Sequence, residues 1–478
     1  MAMLKTNIRI NIYKILCFSL AGLLTIADYS HAKKGGGLNF LRDEEIERTI
    51  RHMSEPIFIA AELEPDAVSS YLINDNTLNA FVAGGQNVFL HTGLLLAADH
   101  ANQVIGVIAH ETGHITGGHN TRFSDATKSA TMSTLIGAIL GAAAIAAGSG
   151  DAGMALILGG QQVGMRSFLK YSRTQESSTD QAALVFLNKS RQSGKGLLEF
   201  FNHLGAQDLV SIRYRDPYAR THPISIDRIA KLREEVEASP YYYAKTSEAL
   251  EHQFQRLKAK LYGYLKPPYA TLNKYPANDQ SVYARYARSF AYHKKHDFDS
   301  ALREIDSLIS EYPEDPYFWE TKGQILFENG KIKESILPYQ NAVRFLPETS
   351  LIRVSLAQSM IATEENKYLP EALRHLEFAL SRDQQNAFAW RQASVAYHRS
   401  QNEAMTRYAS AERFLLIGNL GAAMFNAKKA VDLLPKKTPK WYRAQDILTI
   451  TRSNMSDKDR KREKDRNRRQ NDRKRGLI

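Results

Sequence analysis

The chain has 478 residues, of which 43% are apolar and 24% charged; this composition excludes wholesale disorder, and the length calls for two or three domains. The formal charge of +12 is uneven: the tail from Asp457 carries a surplus of six and the first 32 residues a surplus of two, leaving about four for the body. No DNA-binding face and no specific nucleic-acid partner are therefore expected.

At the N-terminus, Lys5, Arg9 and Lys14 precede an apolar stretch from Ile15 to Ala27 and then Ser30-His31-Ala32. This is the pattern of a signal peptide over 1–32, cleaved before Lys33. An uncleaved anchor is the alternative, although the stretch is short for a span. The single cysteine, Cys17, falls in the segment to be removed, so the mature chain is expected to have no disulfides and to rely on packing and metal.

A charged helix is predicted from about Asp43 to Ser54, running into Pro56. Short runs follow at Tyr71-Leu72-Ile73, Ala80-Phe81-Val82 and Val88-Phe89-Leu90, separated by polar and Gly84-Gly85 turns. They predict a small sheet containing a hairpin, one edge of which could pair with an extended substrate; His91 reads as structural.

Helical periodicity returns at Val104, Ile105, Val107, Ile108 and Ile115, around His110-Glu111-Thr112-Gly113-His114. On a helix, positions i and i+4 share a face, so both imidazoles can reach one ion while Glu111 points toward the water completing a tetrahedral site. Zinc suits two imidazoles and a carboxylate. Its water becomes more acidic and Glu111 can take the proton.

A histidine ten residues after the first would complete one known arrangement, but position 120 is Asn. His119 is one residue early and, five residues from His114, is expected to turn away from the shared face as a surface or outer-layer residue.

Between Lys128 and Asp151 lie 22 uncharged residues, long enough for a membrane span. One crossing would put His114 and Glu176 on opposite sides of a bilayer, and a return segment would carry Gln161, Gln162 and Arg166. Residues 129–160 are therefore read as a buried or surface-lying hairpin, with peripheral membrane contact as the alternative.

Glu176 and Asp180 are again i and i+4 on a predicted helix. One carboxylate can bind the metal while the other holds a ligand histidine through its free N–H, and Glu176 is the better third ligand. Thr221-His222-Pro223 follows on a proline-fixed loop. His222 could stabilise an oxyanion, or equally bind zinc in place of water and hold the site idle; Arg228 could brace the site or a substrate carbonyl.

Pro267, Pro268 and Pro276 mark a linker over 263–280. Beyond it a 34-residue spacing relates Pro313 to Pro347, Ala301 to Ser335 and Leu308 to Ala342. Trp319, Gly323, Tyr339, Ala342 and Pro347 fit the tetratricopeptide pattern. A three-residue insertion near Glu365 interrupts the array, and the helix around Trp390 falls out of phase. Such helix pairs leave apolar faces that stack into a groove able to bind protein segments. A purely supporting helical cap is the alternative.

The expected organisation is thus 1–32 signal peptide, 33–262 metallopeptidase domain, 263–280 linker, 281–450 helical repeats and 451–478 basic, disordered tail. The fold class is mainly α: a zincin-like α+β domain with a small sheet, followed by an α-solenoid.

Asn79-Ala80-Phe81 with Gly93-Leu94-Leu95, the His110-to-His114 motif, Glu176-x-x-Thr179-Asp180 and His222-Pro223 occur in the order found in gluzincins. Over roughly residues 40 to 235 the chain resembles the gluzincin family that includes the CaaX prenyl protease and the HtpX heat-shock protease. The resemblance implies one zinc ion on His110, His114 and Glu176, with Glu111 as base and Asp180 in support. With the leader and repeats it also implies a periplasmic quality-control endopeptidase acting on unfolded or misassembled proteins, partnered with outer-membrane assembly machinery. One departure is Thr179, where the family usually has Ala. A chaperone or assembly scaffold with a latent or structural zinc site is the competing expectation, and a tail tethering the protein to an anionic surface is a third.

Overall fold

The structure is a computed structural model that describes residues 39–119, 173–205, 218 and 222–454. The leader, the apolar 129–160 segment and the tail beyond Asn454 lie outside the described residues. The chain divides into two compact units, one over residues 38–287 and the other holding the chain from Arg288 onward.

In the first unit, helix α1 (Glu44–Ala60) begins where Asp43 accepts from the Ile46 N–H at 3.0 Å. Ile46, Ile50, Met53 and Ile57 recur at helical spacing and are all buried. The helix does not stop before Pro56, as its sequence suggested. Pro56 is exposed, so the carbonyl it leaves without an intrahelical donor is on the watered side, where solvent can satisfy it.

The sheet contains β1 (Phe40–Leu41), β2 (Ser69–Ile73), β3 (Ala80–Ala83) and β4 (Asn87–His91), in the order β1-β2-β4-β3. β3 and β4 form the expected hairpin, pairing Ala80 with Leu90 and Ala83 with Asn87 across a turn in which Gly84 and Gly85 have positive φ. β2 lies parallel to β4, a crossover the short runs alone did not reveal. β3 is an outer strand, and Phe81 and Tyr71 both stack on Phe89.

After α2 (Thr92–Ala97) comes α3 (Ala101–Thr116), buried continuously from Ala101 to His114. A helix apolar on every side must be enclosed, and α3 is covered by α1, β3 and α5 (Lys195–Gly205). The segment 173–189 is helix α4. α6 (Ile226–Glu237) starts at Ser225, whose side chain accepts from the Arg228 N–H. α7 (Glu248–Leu265) packs on α1 and α2. Here Glu45 is held by Arg256 at 2.8 Å, Lys260 at 3.3 Å and the Tyr286 hydroxyl at 2.8 Å, a buried network in which every charge has a partner. The predicted linker contains α8 (Pro268–Lys274), and the compact unit extends beyond it to Ala287. Helix α9 (Val282–Lys294) follows.

The second unit is built of helices: α10 (Phe298–Glu311), α11 (Pro316–Glu328), α12 (Ile332–Phe345), α13 (Leu351–Ala362), α14 (Leu369–Arg382), α15 (Ala387–Arg399), α16 (Glu403–Leu416), α17 (Leu420–Leu433) and α18 (Pro439–Asn454). α11 pairs with α12, α13 with α14, α15 with α16 and α17 with α18. Buried alanines at 301, 342, 357, 372, 379 and 423 let the backbones approach, and the Gly323 position lies against the Tyr339 ring. The helix around Trp390 is not out of phase. Trp390 follows Trp319 by two 34-residue repeats plus the three-residue insertion, which forms a 3-10 turn at Asn366–Tyr368. Both indoles then do the same thing: Trp319 donates to the Pro313 carbonyl and Trp390 to the Gln384 carbonyl, each six residues back.

Candidate metal centre

Three elements bring the chemistry together. α3 presents His110, Glu111 and His114, α4 presents Glu176 and Asp180, and the residues leading into α6 present His222 and Arg228. All seven side chains are buried.

Four of them point donor atoms into one small space. His110 Nε2 lies 3.2 Å from His114 Nε2, and His222 Nδ1 lies 3.3 Å from each. Glu176 places oxygens 3.2 Å from His222 Nδ1, 3.4 Å from His110 Nε2 and 3.5 Å from His114 Nε2. The Glu176 distances are shared between its two oxygens, Oε2 toward His110 and Oε1 toward His114, so three imidazole nitrogens and one carboxylate enclose a space of a size that suits a small cation bound at about 2 Å. The donor set therefore fits a metal. His222 enters it as a fourth donor, which is the second of the two roles its sequence allowed.

The surrounding groups are arranged to hold these donors. His110 Nδ1 lies 3.0 Å from Asp180 Oδ1. Arg228 grips Asp180 with two bonds of 2.8 Å, donates to the Pro223 carbonyl at 2.7 Å and stands 3.2 Å from Glu176. One guanidinium thus ties α4 to the His222-Pro223 segment. Its other face lies 5.0 Å over the Phe201 ring.

Electrostatics follow from burial and crowding. Burial resists charge on His110, but Asp180 and Glu176 outweigh it and lift its pKa to about 9. Burial and the neighbouring His110 and His222 push His114 down to about 2. Burial also opposes the Glu176 charge, yet His222 and His110 hold its carboxyl well below the usual range. Glu111 is shifted up by burial. Neither of its oxygens has a hydrogen-bond partner among the described residues, and His222 Nε2 stands 3.5 Å from one of them. A buried carboxylate kept out of the donor set in this way suits a proton acceptor beside the metal.

Sequence reasoning missed Tyr218. Its ring stacks on His222 with centroids 4.5 Å apart, and its carbonyl accepts the His222 N–H at 2.7 Å. The i, i+4 spacing of Tyr218 and His222 was the available signal. His91, read as structural, lies 2.9 Å from Thr77 Oγ1 and does not join the cluster. His119 does not turn away: α3 ends at Thr116, so helical spacing no longer governs it, and its Nδ1 comes within 2.9 Å of His114 Nδ1.

Residues 41–236, the span holding all of these groups, match the model of Peptidase family M48. Over that span, which is less than half of its length, the chain is similar to this family. The beta-barrel assembly-enhancing protease of Escherichia coli K12 is 23% identical over 413 residues, covering 85% of this chain and 83% of that protein. A putative beta-barrel assembly-enhancing protease of Vibrio cholerae is 25% identical over 289 residues, 58% of each chain. A thermophilic TPR protein of Thermus thermophilus aligns with 35% of this chain and all of its own at 20% identity and a TM-score of 0.24. The M48 match and the His-His-Glu-His cluster together support a metalloprotease. Among the described residues no helix is long and apolar enough to cross a membrane.

Proposed function

We propose that the M48 domain is a zinc endopeptidase whose resting form is latent. The observation that carries this reading is the buried cluster of His110, His114, Glu176 and His222, with the Glu111 carboxylate beside it making no hydrogen bond among the described residues. When bound, zinc supplies Lewis acidity toward a peptide carbonyl and makes a water molecule acidic enough to deprotonate near neutral pH. Glu111 receives that proton, and burial, by raising its pKa, makes it a better acceptor than a solvated glutamate. Asp180 orients His110 through Nδ1, and Arg228 fixes Asp180 and neutralises part of the local negative charge. His222 closes the fourth corner at rest. Moved out of the donor set, the His222 imidazole would be free to stabilise developing charge on a substrate carbonyl oxygen.

We assign proteolysis to residues 33–262, with the outer strand β3 pairing with extended substrate, and partner binding to the repeats over 281–450. By likeness to the beta-barrel assembly-enhancing proteases, the substrates are unfolded or misassembled outer-membrane proteins and the compartment is the periplasm, reached by the 1–32 leader. Metal analysis of the purified chain, with casein cleavage by wild type and Glu111→Gln, tests the proposal.

The closed four-donor site also favours a second reading, a chaperone or assembly scaffold with structural zinc, because structural zinc sites have no open corner. That reading requires the biological effect to survive Glu111→Gln and to be lost when the repeat helices are altered.

A further inference from the structure

The two helix-borne imidazoles of the cluster are supported differently. Behind His110 Nδ1 stands a carboxylate, Asp180. Behind His114 Nδ1 stands another imidazole, His119, at 2.9 Å.

We propose that His119 is a positioning residue for the metal site: its Nδ1 accepts the proton of His114 Nδ1, fixing the tautomer that turns His114 Nε2 toward the shared ion. The proposal rests on the zinc reading above. Two imidazole nitrogens 2.9 Å apart are held together by one proton between them, and His114 must keep the lone pair of Nε2 for the cluster. The proton therefore belongs to His114 Nδ1 and the lone pair to His119 Nδ1, which leaves the His119 proton on Nε2.

The local chain is built for this contact. α3 ends at Thr116, and Gly118, with φ of +63°, turns the backbone so that His119 folds back over the last helical turn. A β-carbon on Gly117 would stand 2.4 Å from His119 Nε2, so the ring occupies room that only glycine leaves. On its other side, Thr179 Oγ1 lies 3.2 Å from His119 Nδ1 and 2.8 Å from the Gln175 carbonyl, so the single hydroxyl proton is shared between two acceptors. Thr179 stands one residue before Asp180, so His119 is lodged between the helix bearing His114 and the helix bearing Glu176. The Thr179 hydroxyl thus reaches the same nitrogen that receives the His114 proton.

The test is zinc affinity of the full chain, measured by competition with a chromophoric chelator, for wild type, His119→Leu, His119→Asn and Gly117→Ala. His119→Leu removes the acceptor and is expected to weaken zinc about 10–100-fold, the usual effect of losing a group that orients a ligand. His119→Asn puts an amide oxygen at the same distance along the side chain and should recover most of that loss, which a role in packing alone would not produce. Gly117→Ala crowds the ring without removing it and should weaken zinc in the same direction. Wild-type affinity in both His119→Leu and Gly117→Ala overturns the proposal, as does an Asn variant no better than Leu. Absence of zinc binding by the wild type is a separate outcome that overturns the metal reading itself.

Discussion

Gly113 and Thr179 are packed so tightly that a β-carbon on the glycine would stand 2.9 Å from Thr179 Cγ2 and 3.0 Å from the Thr179 carbonyl oxygen. That contact brings the helix carrying both histidines of the motif against the helix carrying Glu176. Gly113→Ala should therefore force the helices apart, costing about 1–3 kcal/mol of stability in urea unfolding. It should also weaken zinc binding, because Glu176 moves with its helix. An Ala variant with wild-type stability and affinity would show that the spacing is not set here.

Arg228 is the cation for two buried carboxylates. Arg228→Ala removes the permanent cation facing Asp180 and Glu176, leaving only His110 and His222 beside them, and should destabilise the first unit by roughly 3–5 kcal/mol, read from its unfolding midpoint. Arg228→Lys keeps the charge but loses the two-pronged grip on Asp180, and should fall between Ala and wild type.

His222 separates the latent reading from the oxyanion reading. With His222 as a plug, His222→Ala keeps one zinc per chain on the remaining three donors and cleaves casein faster, by roughly tenfold or more if the open form is a minor population of the wild type. A fall in cleavage with zinc retained would mean that the imidazole's part in the reaction outweighs its part as a plug.

The Glu45 network gives a pH signature independent of the metal. Burial works against its charge, but Arg256 and Lys260 hold the Glu45 pKa below its unfolded value of 4.5. For an acid with a lowered folded-state pKa, the stabilisation is complete above pH 4.5 and disappears as pH falls through the lower folded value. The stability gap between wild type and Glu45→Gln, measured by urea unfolding, should narrow steadily as pH is lowered below 4.5. A gap that stays constant down to pH 3 would contradict the assignment.

Much of this was legible in the residues. The i, i+4 spacing of His110 with His114 and of Glu176 with Asp180 gave shared helical faces, and the structure points His110, His114 and Glu176 into one space. The β3–β4 hairpin was readable from alternation and the Gly84-Gly85 turn. What escaped depended on chain ends and distant contacts. Helix α1 passes Pro56 because that side faces water, which a local rule about proline does not know. His119 lies in the outer layer, as one of its two sequence readings had it, but it faces His114 instead of turning away, because helical spacing does not apply past Thr116. Trp390 looked irregular until the insertion at 366–368 was counted within its repeat. Tyr218 belongs to no motif, and its four-residue spacing from His222 gains meaning only from the ring stacking and the backbone bond between them.

Zinc K-edge absorption on the purified full chain tests the central claim most directly. The account predicts one zinc per chain with four light-atom neighbours at about 2.0–2.1 Å, imidazole outer-shell scattering, and loss of the metal in Glu176→Ala. A chain that takes up no zinc, or one whose zinc environment is the same in Glu176→Ala as in wild type, would contradict it.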